Sequence, residues 1–268
     1  MNLRNKIICG DCIEKMRTLP SNTIDLAFAD PPYNLKKDYG VYNDSNSPIG
    51  YLNWTEKWLS EMVRLLKPEG AFYLLNLPIW AIHHAVFLDK FLYRQNTIAW
   101  DALSTPRGKI MPAHYCLLYY TKKKDKYTFN HITTKHNWTH CAREKCIKRR
   151  NNSNLNEKPF SDIWTNIYRL KHRGKRHIQH PTQLPLAFME RIILSSSNEG
   201  DLILDPFLGV GTTAITAKLL KRDYLGIEIN PEYVQESLKN LKGIDSFRSH
   251  LEFQDQQRLL DLDNFLEL

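Results

Sequence analysis

Apolar residues in this chain fall into two kinds of block: short continuous runs of strand length, and longer stretches in which they return every three or four positions. Lys6–Cys9 has strand length, Gly10-Asp11 is a turn, and Asp11 is placed to cap a helix over Cys12–Leu19 whose Ile13, Met16 and Leu19 share a face. Pro20-Ser21-Asn22 breaks that helix, and Ile24–Ala29 reads as a buried strand, so the first thirty residues form a parallel strand, helix, strand unit. Residues 34–53 are polar and aperiodic, which predicts a lid or binding loop. A helix over Trp54–Leu66 follows, with Trp58, Met62, Leu65 and Leu66 inward, stopped by Lys67-Pro68-Glu69-Gly70. Beyond it come a strand over Ala71–Leu75, a helix over Ala81–Phe91, and strands over Thr97–Trp100 and Cys116–Thr121. After a polar interval the pattern resumes with a helix over Leu186–Ser195, a strand over Leu202–Leu204, a turn at Gly209–Gly211 and a helix over Thr212–Leu220. A strand over Tyr224–Ile227 and a helix over Glu232–Lys242, opened by Pro231, close the series; the tail 243–268 is either helical or a partner contact. This alternation is that of an α/β fold with a doubly wound, mostly parallel sheet. Phe28, Phe72, Trp80 and Trp100, set inside apolar runs, belong to its core.

The length of 268 residues suits one nucleotide-handling α/β domain, 1–268, carrying an insertion. That insertion is where the composition changes. Residues 121–177 hold 16 Lys and Arg against 4 Asp and Glu, a net of +12 in a chain of +8, so the remainder is −4 (8 less 12). The positive charge is therefore a local patch, and it predicts a polyanionic partner. Five cysteines (Cys9, Cys12, Cys116, Cys141, Cys146), without a secretory apolar segment or an 18-residue apolar run, predict a reducing, cytoplasmic setting without disulfides or membrane association.

Two constellations carry the chemistry. The strand 24–29 runs into Asp30-Pro31-Pro32-Tyr33. The prolines donate no backbone hydrogen bond and drive Asp30 from the helical region, so the strand ends at the sheet edge where open α/β sheets bind ligands. A carboxylate, free carbonyl oxygens and a ring there suit a flat molecule bearing an amino group; a rigid strand exit is the plainer alternative. The second constellation runs from Asp205 at a strand end through Pro206-Phe207 and the Gly209-x-Gly211 turn to Thr212-Thr213 at a helix start. Glu228 then stands 19 residues beyond Gly209, at the next strand end, with Asn230 just after. A terminal carboxylate in that position takes both hydroxyls of a ribose. The third glycine of a dinucleotide fingerprint and the Gly-Lys-Ser/Thr of a phosphate loop are both missing. A ligand carboxylate at the helix N-terminus with an ammonium at Asp205 fits instead, and S-adenosylmethionine has both groups and a ribose.

These motifs resemble those of the amino-directed DNA methyltransferases. Asp-Pro-Pro-Tyr-Asn-Leu at 30–35 looks like their catalytic motif, Asp-Pro-Phe-Leu-Gly-Val-Gly-Thr-Thr at 205–213 like their cofactor motif, and His180-Pro181-Thr182-Gln183 like the segment preceding it. Catalytic motif, basic variable region, cofactor motif is the permuted order of the β subgroup, and Gly10-Asp11-Cys12 resembles its cofactor-adenine contact. The resemblance covers 6–35 and 160–242 closely and 54–121 in general pattern; 122–158 matches no named pattern. It departs at Leu184, where the family has lysine, and at Leu208 and Val210 in the variable loop positions.

The resemblance implies a class I S-adenosylmethionine-dependent fold with permuted motif order, acting on DNA as part of, or derived from, a restriction-modification system. Asp30, Pro31, Pro32 and Tyr33 become catalytic. Asp11, Cys12, Asp30, His180, Thr182, Gln183, Asp205, Phe207, Gly209, Gly211, Thr212, Thr213, Glu228 and Asn230 become cofactor contacts. The region 122–177 becomes an inserted target-recognition region gripping DNA through Lys122, Lys123, Lys124, Arg143, Lys148, Arg149, Arg150, Lys171, Arg173 and Arg176. A homodimer is a further expected assembly to test. No cysteine follows a proline as carbon-5 cytosine chemistry requires, and Asp30, where N4-cytosine enzymes more usually carry serine, points to adenine. N4-cytosine methylation and a non-catalytic nucleic-acid-binding module are the alternatives. His136, His140, Cys141 and Cys146 could ligate zinc but match no standard finger in spacing or order, so no metal is expected; His83-His84 read as surface or phosphate-facing residues rather than ligands.

Overall fold

The computed structural model describes residues 3–36, 44–101, 113–131, 133–134, 158–159, 161–165, 167 and 184–244. Strands β1 (Lys6–Cys9), β2 (Ile24–Ala29), β3 (Leu66–Asn76), β4 (Tyr93–Asp101), β5 (His114–Thr121), β8 (Ile163–Trp164), β9 (Leu202–Asp205) and β10 (Asp223–Glu228) form one sheet, in the order β1-β10-β9-β2-β3-β5-β4-β8. The run from β1 to β3 is parallel; β5 enters antiparallel to both β3 and β4, and β8 lies parallel to β4. The helices are α1 (Cys12–Arg17), α2 (Pro48–Leu65), α3 (Pro78–Leu88), α4 (Leu186–Ser196), α5 (Thr212–Leu219) and α6 (Pro231–Lys242). The chain divides into two compact units, Met1–Asn130 with Asp162–Lys242, and His131–Ser161 with Gly243–Leu268. In the second, β6 (Thr133–Thr134) pairs antiparallel with β7 (Lys158–Pro159).

Successive side chains of β2 serve the two faces of the sheet. Ala27 and Ala29 join the core built with Met16, Trp58, Met62 and Leu65 of α1 and α2, while Phe28 points the other way and meets the Phe188 ring of α4 edge-on at 6.2 Å. Phe28, Phe72 and Trp100 are buried as expected, whereas Trp80 is only half-buried. No helix among the described residues is long and apolar enough to cross a membrane.

Several boundaries differ from the sequence reading, each for a local reason. α2 starts at Pro48 rather than Trp54, because the Ser47 hydroxyl accepts from the Gly50 amide (3.1 Å) and Pro48 supplies the first-turn φ. The interval taken as loop to residue 53 therefore ends at 47. Lys67-Pro68-Glu69-Gly70 does not separate helix from strand; it lies inside β3, where the register against β2 jumps from Ile24–Leu66 to Leu26–Ala71. Pro78 likewise starts α3 three residues early, and the helix stops at Leu88. β4 begins at Tyr93, four residues early, since pairing with β5 carries a largely exposed polar stretch into the sheet. His84 is not a surface residue: the α3 face formed by Ala81, His84, Ala85 and Leu88 points inward, leaving His84 only 2% exposed.

The chain leaves β2 toward β3 and leaves β9 toward β10, in opposite directions along the sheet. The crevice beyond the carboxyl ends of these paired strands is the switch point at which such sheets take ligands.

Candidate active site

Four parallel strands deliver four carboxylates to one edge. Asp205 and Glu228 are the last residues of β9 and β10, Asp30 follows β2, and Asp11 lies two positions beyond β1. All four line one cleft at the carboxyl edge of the sheet, the place where such sheets take small molecules. Among the described residues, no Lys, Arg or His lines it. Thr212 and Thr213 add hydroxyls, and most of the remaining wall is apolar, with Phe28, Trp54, Phe207, Val210 and Ile229 in it. Such a cleft suits an amphipathic ligand that carries positive charge.

Each carboxylate is held by the turn it helps to make. The two oxygens of Glu228 accept from the Gly209 and Asn230 amides, both at 2.8 Å, which ties the loop after β9 to the loop after β10. Burial raises the Glu228 pKa, opposed by those amides. Asp205 accepts from the Phe207 amide (2.9 Å) and the Thr213 hydroxyl (2.6 Å). Burial first, with the Glu228 charge adding to it, pushes Asp205 up to about 7. Asp11 caps α1 through the amides of Ile13 (2.9 Å) and Glu14 (3.0 Å). Cys12 is buried, and its thiol is raised to about 12 by that burial and then by Asp11, so it stays a neutral wall atom.

Gly211 is the N-cap of α5 with φ of +96° and no side-chain cap. A Cβ there would meet the Ser237 Cβ at 2.9 Å, so glycine is required both by the left-handed backbone and by α6 packing against the turn. Phe207 fixes the loop's other side, its ring meeting Trp54 at 5.8 Å and Trp58 at 5.1 Å, both edge-on.

The loop after β2 is held just as firmly. The Tyr33 hydroxyl donates to Asp30 Oδ1, and its ring packs beside Tyr115 at 5.6 Å. The Pro32 carbonyl accepts from the Tyr51 hydroxyl (2.7 Å) and the Tyr33 carbonyl from the Trp80 indole (2.9 Å). Buried Asp44 takes the amides of Asn34 and Leu35 at 2.7 and 2.8 Å, and Asn34 and Asn46 exchange two bonds of 2.8 Å.

The family model described as DNA methylase matches residues 24–239. This chain belongs to that family. It is similar to the type II methyltransferase M.BamHI of Bacillus amyloliquefaciens, 38% identical over 245 residues that make up 88% of this chain and 57% of that protein. It is also similar to M.HpaI of Haemophilus parainfluenzae, at 36% identity over 90% of this chain and 76% of that one. The DNA adenine methyltransferase YhdJ of Escherichia coli K12 is 31% identical over 90% of this chain and 83% of its own length. The chain thus spans little more than half of M.BamHI and most of the other two. Among solved structures, the M1.HpyAVI complex with S-adenosylmethionine superposes with a TM-score of 0.60 at 26% identity, covering 88% of this chain and 98% of that one. The cytosine-N4-specific PvuII enzyme, at 16% identity and a TM-score of 0.67 over 91% and 92% of the two chains, shares the fold.

The cofactor of this DNA methylase family is S-adenosylmethionine, and the cleft's residues fit it: acidic turn carboxylates, an uncapped helix start and no competing cation among the described lining residues. Of the residues singled out from the sequence, Asp11, Cys12, Asp30, Pro32, Asp205, Phe207, Gly209, Thr212, Thr213 and Glu228 line this cleft. Pro31 and Tyr33 are buried and are not among its lining residues, and Gly211 shapes the turn. The Asn230 side chain accepts from the Glu232 amide (2.9 Å) and caps α6. His180, Thr182 and Gln183 fall outside the described residues, as do Arg143, Lys148, Arg149, Arg150, Lys171, Arg173 and Arg176, together with His136, His140, Cys141 and Cys146.

Of the three consecutive lysines, Lys122 serves the fold. Its ammonium donates to Asn22 Oδ1 (2.9 Å) and to the carbonyls of Val63 (3.0 Å) and Leu66 (2.7 Å), closing the C-terminal end of α2, and burial lowers its pKa. Lys123 pairs with Glu69 at 2.6 Å, and Lys124 is exposed. Sequence reasoning missed Trp54, Leu184, Ile229 and Tyr233 as cleft walls. Leu184 adds an apolar wall to the cleft. A signal for Trp54 was available in its spacing of four from Trp58 on one helix face.

Proposed function

We propose that this DNA methylase is a site-specific adenine-N6 methyltransferase of restriction-modification type, acting on a flipped or single-stranded base. The observation that carries the reading is the convergence of Asp30 and the cofactor-type carboxylates Asp205 and Glu228 in one cleft at the switch point. S-adenosylmethionine, when bound, supplies an electrophilic methyl group. The protein must then activate an exocyclic amino nitrogen whose lone pair is conjugated into the ring. Asp30 and the Pro31 carbonyl accept hydrogen bonds from its two N–H groups out of the ring plane, which pyramidalises the nitrogen and frees the lone pair. Tyr33 is assigned to stacking on the base, which requires the base to enter beside a ring now packed against Tyr115. Because the amino group lies inside a duplex stack, the nucleotide has to leave it first.

Support for adenine comes from Asp at position 30 and from the adenine-specific YhdJ relative. Methylation of assorted DNA followed by mapping of the modified bases tests the reading. N6-methyladenine at a fixed sequence supports it, N4-methylcytosine replaces it with the alternative, and no modification overturns it.

Asp205 gives the cofactor site a pH dependence. We assign it the cofactor's ammonium, which only the ionised carboxyl accepts. With Asp205 held up at about 7, binding below that pH must first expel a proton. Affinity is expected to rise from pH 5.5 to 7, approaching tenfold per unit at the acid end, a range in which the ligand's own amine stays mostly protonated. Calorimetry across this range checks it, and Asp205→Asn should bind weakly with a flat profile.

The inserted region 122–177 of this methyltransferase domain is assigned to DNA. Replacing Arg149 and Arg150 by Ala should weaken binding on matched and scrambled duplexes alike. Each lost phosphate contact should lower the log–log salt slope by about 0.9. Fluorescence anisotropy at several salt concentrations measures both. An unchanged affinity and slope would make the patch a solvated surface.

A further inference from the structure

Behind the loop that follows β2 lies a buried polar chain that neither cofactor nor base contact requires. Tyr51 of α2 and Asn76 at the end of β3 are fully buried, and His84 of α3 nearly so. The Tyr51 hydroxyl bonds the Pro32 carbonyl at 2.7 Å, and Asn76 Nδ2 lies 3.1 Å from the Tyr51 oxygen and 3.2 Å from His84 Nε2. The direction of every bond is fixed by its ends. The Leu77 amide can only donate, so the Asn76 atom facing it at 2.7 Å is Oδ1, and Nδ2 with its two hydrogens faces Tyr51 and His84. His84 Nε2 must then accept, which makes the ring neutral with its proton on Nδ1; burial agrees, pulling its pKa down to about 4. The Tyr51 oxygen accepts from Asn76, which leaves its own hydrogen for the Pro32 carbonyl.

The next carbonyl is held as well, by the Trp80 indole, and the Trp80 ring packs on Tyr51 at 4.7 Å. Two side chains from separate helices, Tyr51 of α2 and Trp80 of α3, thus hold two successive carbonyls of an irregular loop. The carbonyl preceding them, that of Pro31, accepts no hydrogen bond among the described residues. Simple anchoring of a loop does not require a directed chain of three buried polar side chains, each costly to bury unless fully bonded.

We propose that Tyr51, oriented by Asn76 and His84, is a positioning residue for methyl transfer: it locks the Pro32 peptide so that Asp30 and the Pro31 carbonyl stay aimed at the target amino group. This rests on the catalytic reading of Asp30–Tyr33 given above. Tyr51 is fully buried with its hydroxyl on the Pro32 carbonyl, so it acts on the loop rather than on substrate or cofactor.

The test uses Tyr51→Phe, which removes one oxygen and keeps the ring, and Asn76→Asp, which keeps the shape but presents a carboxylate that draws the Tyr51 hydrogen from Pro32. Asp30→Ala serves as reference. Cofactor affinity, DNA affinity, melting temperature and the single-turnover methylation rate at saturating cofactor and DNA are measured well below each variant's unfolding temperature. Both variants are expected to bind cofactor and DNA like the parent and to transfer methyl roughly 10- to 100-fold more slowly, as for a sub-ångström to 1 Å misplacement of reacting groups. A parental single-turnover rate in Tyr51→Phe overturns the proposal whatever its melting temperature. Loss of cofactor affinity in parallel with rate also overturns it, since that marks collapse of the cleft rather than misaimed acceptors. If Asp30→Ala itself keeps the parental rate, the catalytic reading of the loop fails; if Asp30→Ala is inactive while Tyr51→Phe is normal, only the positioning role falls.

Discussion

Asp30→Ala is expected to bind S-adenosylmethionine almost as the parent does and to lose methyl transfer by roughly 10²–10⁴-fold, the range for removing a positioned proton acceptor. The geometry behind this is the separation of roles within the cleft. Glu228 and Asp205 are embedded in the turns after β10 and β9, each accepting from groups of the 207–213 loop. Asp30 instead belongs to the loop after β2, is half-exposed, and takes a bond from the Tyr33 hydroxyl of its own tetrapeptide. Its loss removes an acceptor for the target amino group and leaves the cofactor loops intact. Calorimetry with the cofactor beside a methylation assay separates the two quantities. Near-parental turnover by the variant would sink the mechanism, and a large loss of cofactor affinity would move Asp30 to the binding site.

Glu228→Ala should weaken cofactor binding by about 1–3 kcal/mol, the cost of losing a charged acceptor, or roughly 5- to 150-fold in Kd. The structure adds a second consequence. Glu228 is 8% exposed and its two oxygens hold the Gly209 and Asn230 amides, so the alanine variant also strands two buried donors and loosens the loop. Glu228→Gln distinguishes charge from shape only in part, because its NH₂ must face one of those amide N–H groups. Both variants should therefore bind weakly and melt lower. An unchanged dissociation constant in a folded Glu228→Ala protein would reassign the carboxylate to holding the turn alone.

Much of the catalytic framework was legible because its signals are local. Buried strands announce themselves as continuous apolar runs; Asp-Pro-Pro-Tyr stops a strand through proline chemistry; Gly209 and Gly211 both adopt positive φ in the turn their sequence predicts. The charge excess of 121–177 is likewise a property of sequence alone. Where boundaries slipped, a local rule was overridden by pairing. Lys67-Pro68-Glu69-Gly70 has the composition of a helix stop followed by a turn, yet the parallel neighbour β2 draws it into β3 across a register shift. Ser47-Pro48 was a readable helix start, masked by the Gly50 that follows.

What the sequence by itself determined is which residues end strands beside turns, and hence that Asp11, Asp30, Asp205 and Glu228 sit at strand ends. That they meet in one cleft was decided by the strand order, which places β9, from residue 202, beside β2, from residue 24, and β1 beside β10. Strand pairing over such separations is fixed by burial of both faces of the sheet, not by any local preference. The same holds for the fates of single side chains. Lys122 was one of three like charges in the sequence; the fold brought the open end of α2 to its ammonium, which closes it. Tyr51, Asn76 and His84 lie up to 33 positions apart and carry no motif. Only the packing of α2 and α3 beside the end of β3 brings their polar atoms together, because a buried donor or acceptor costs free energy until the tertiary structure supplies its partner.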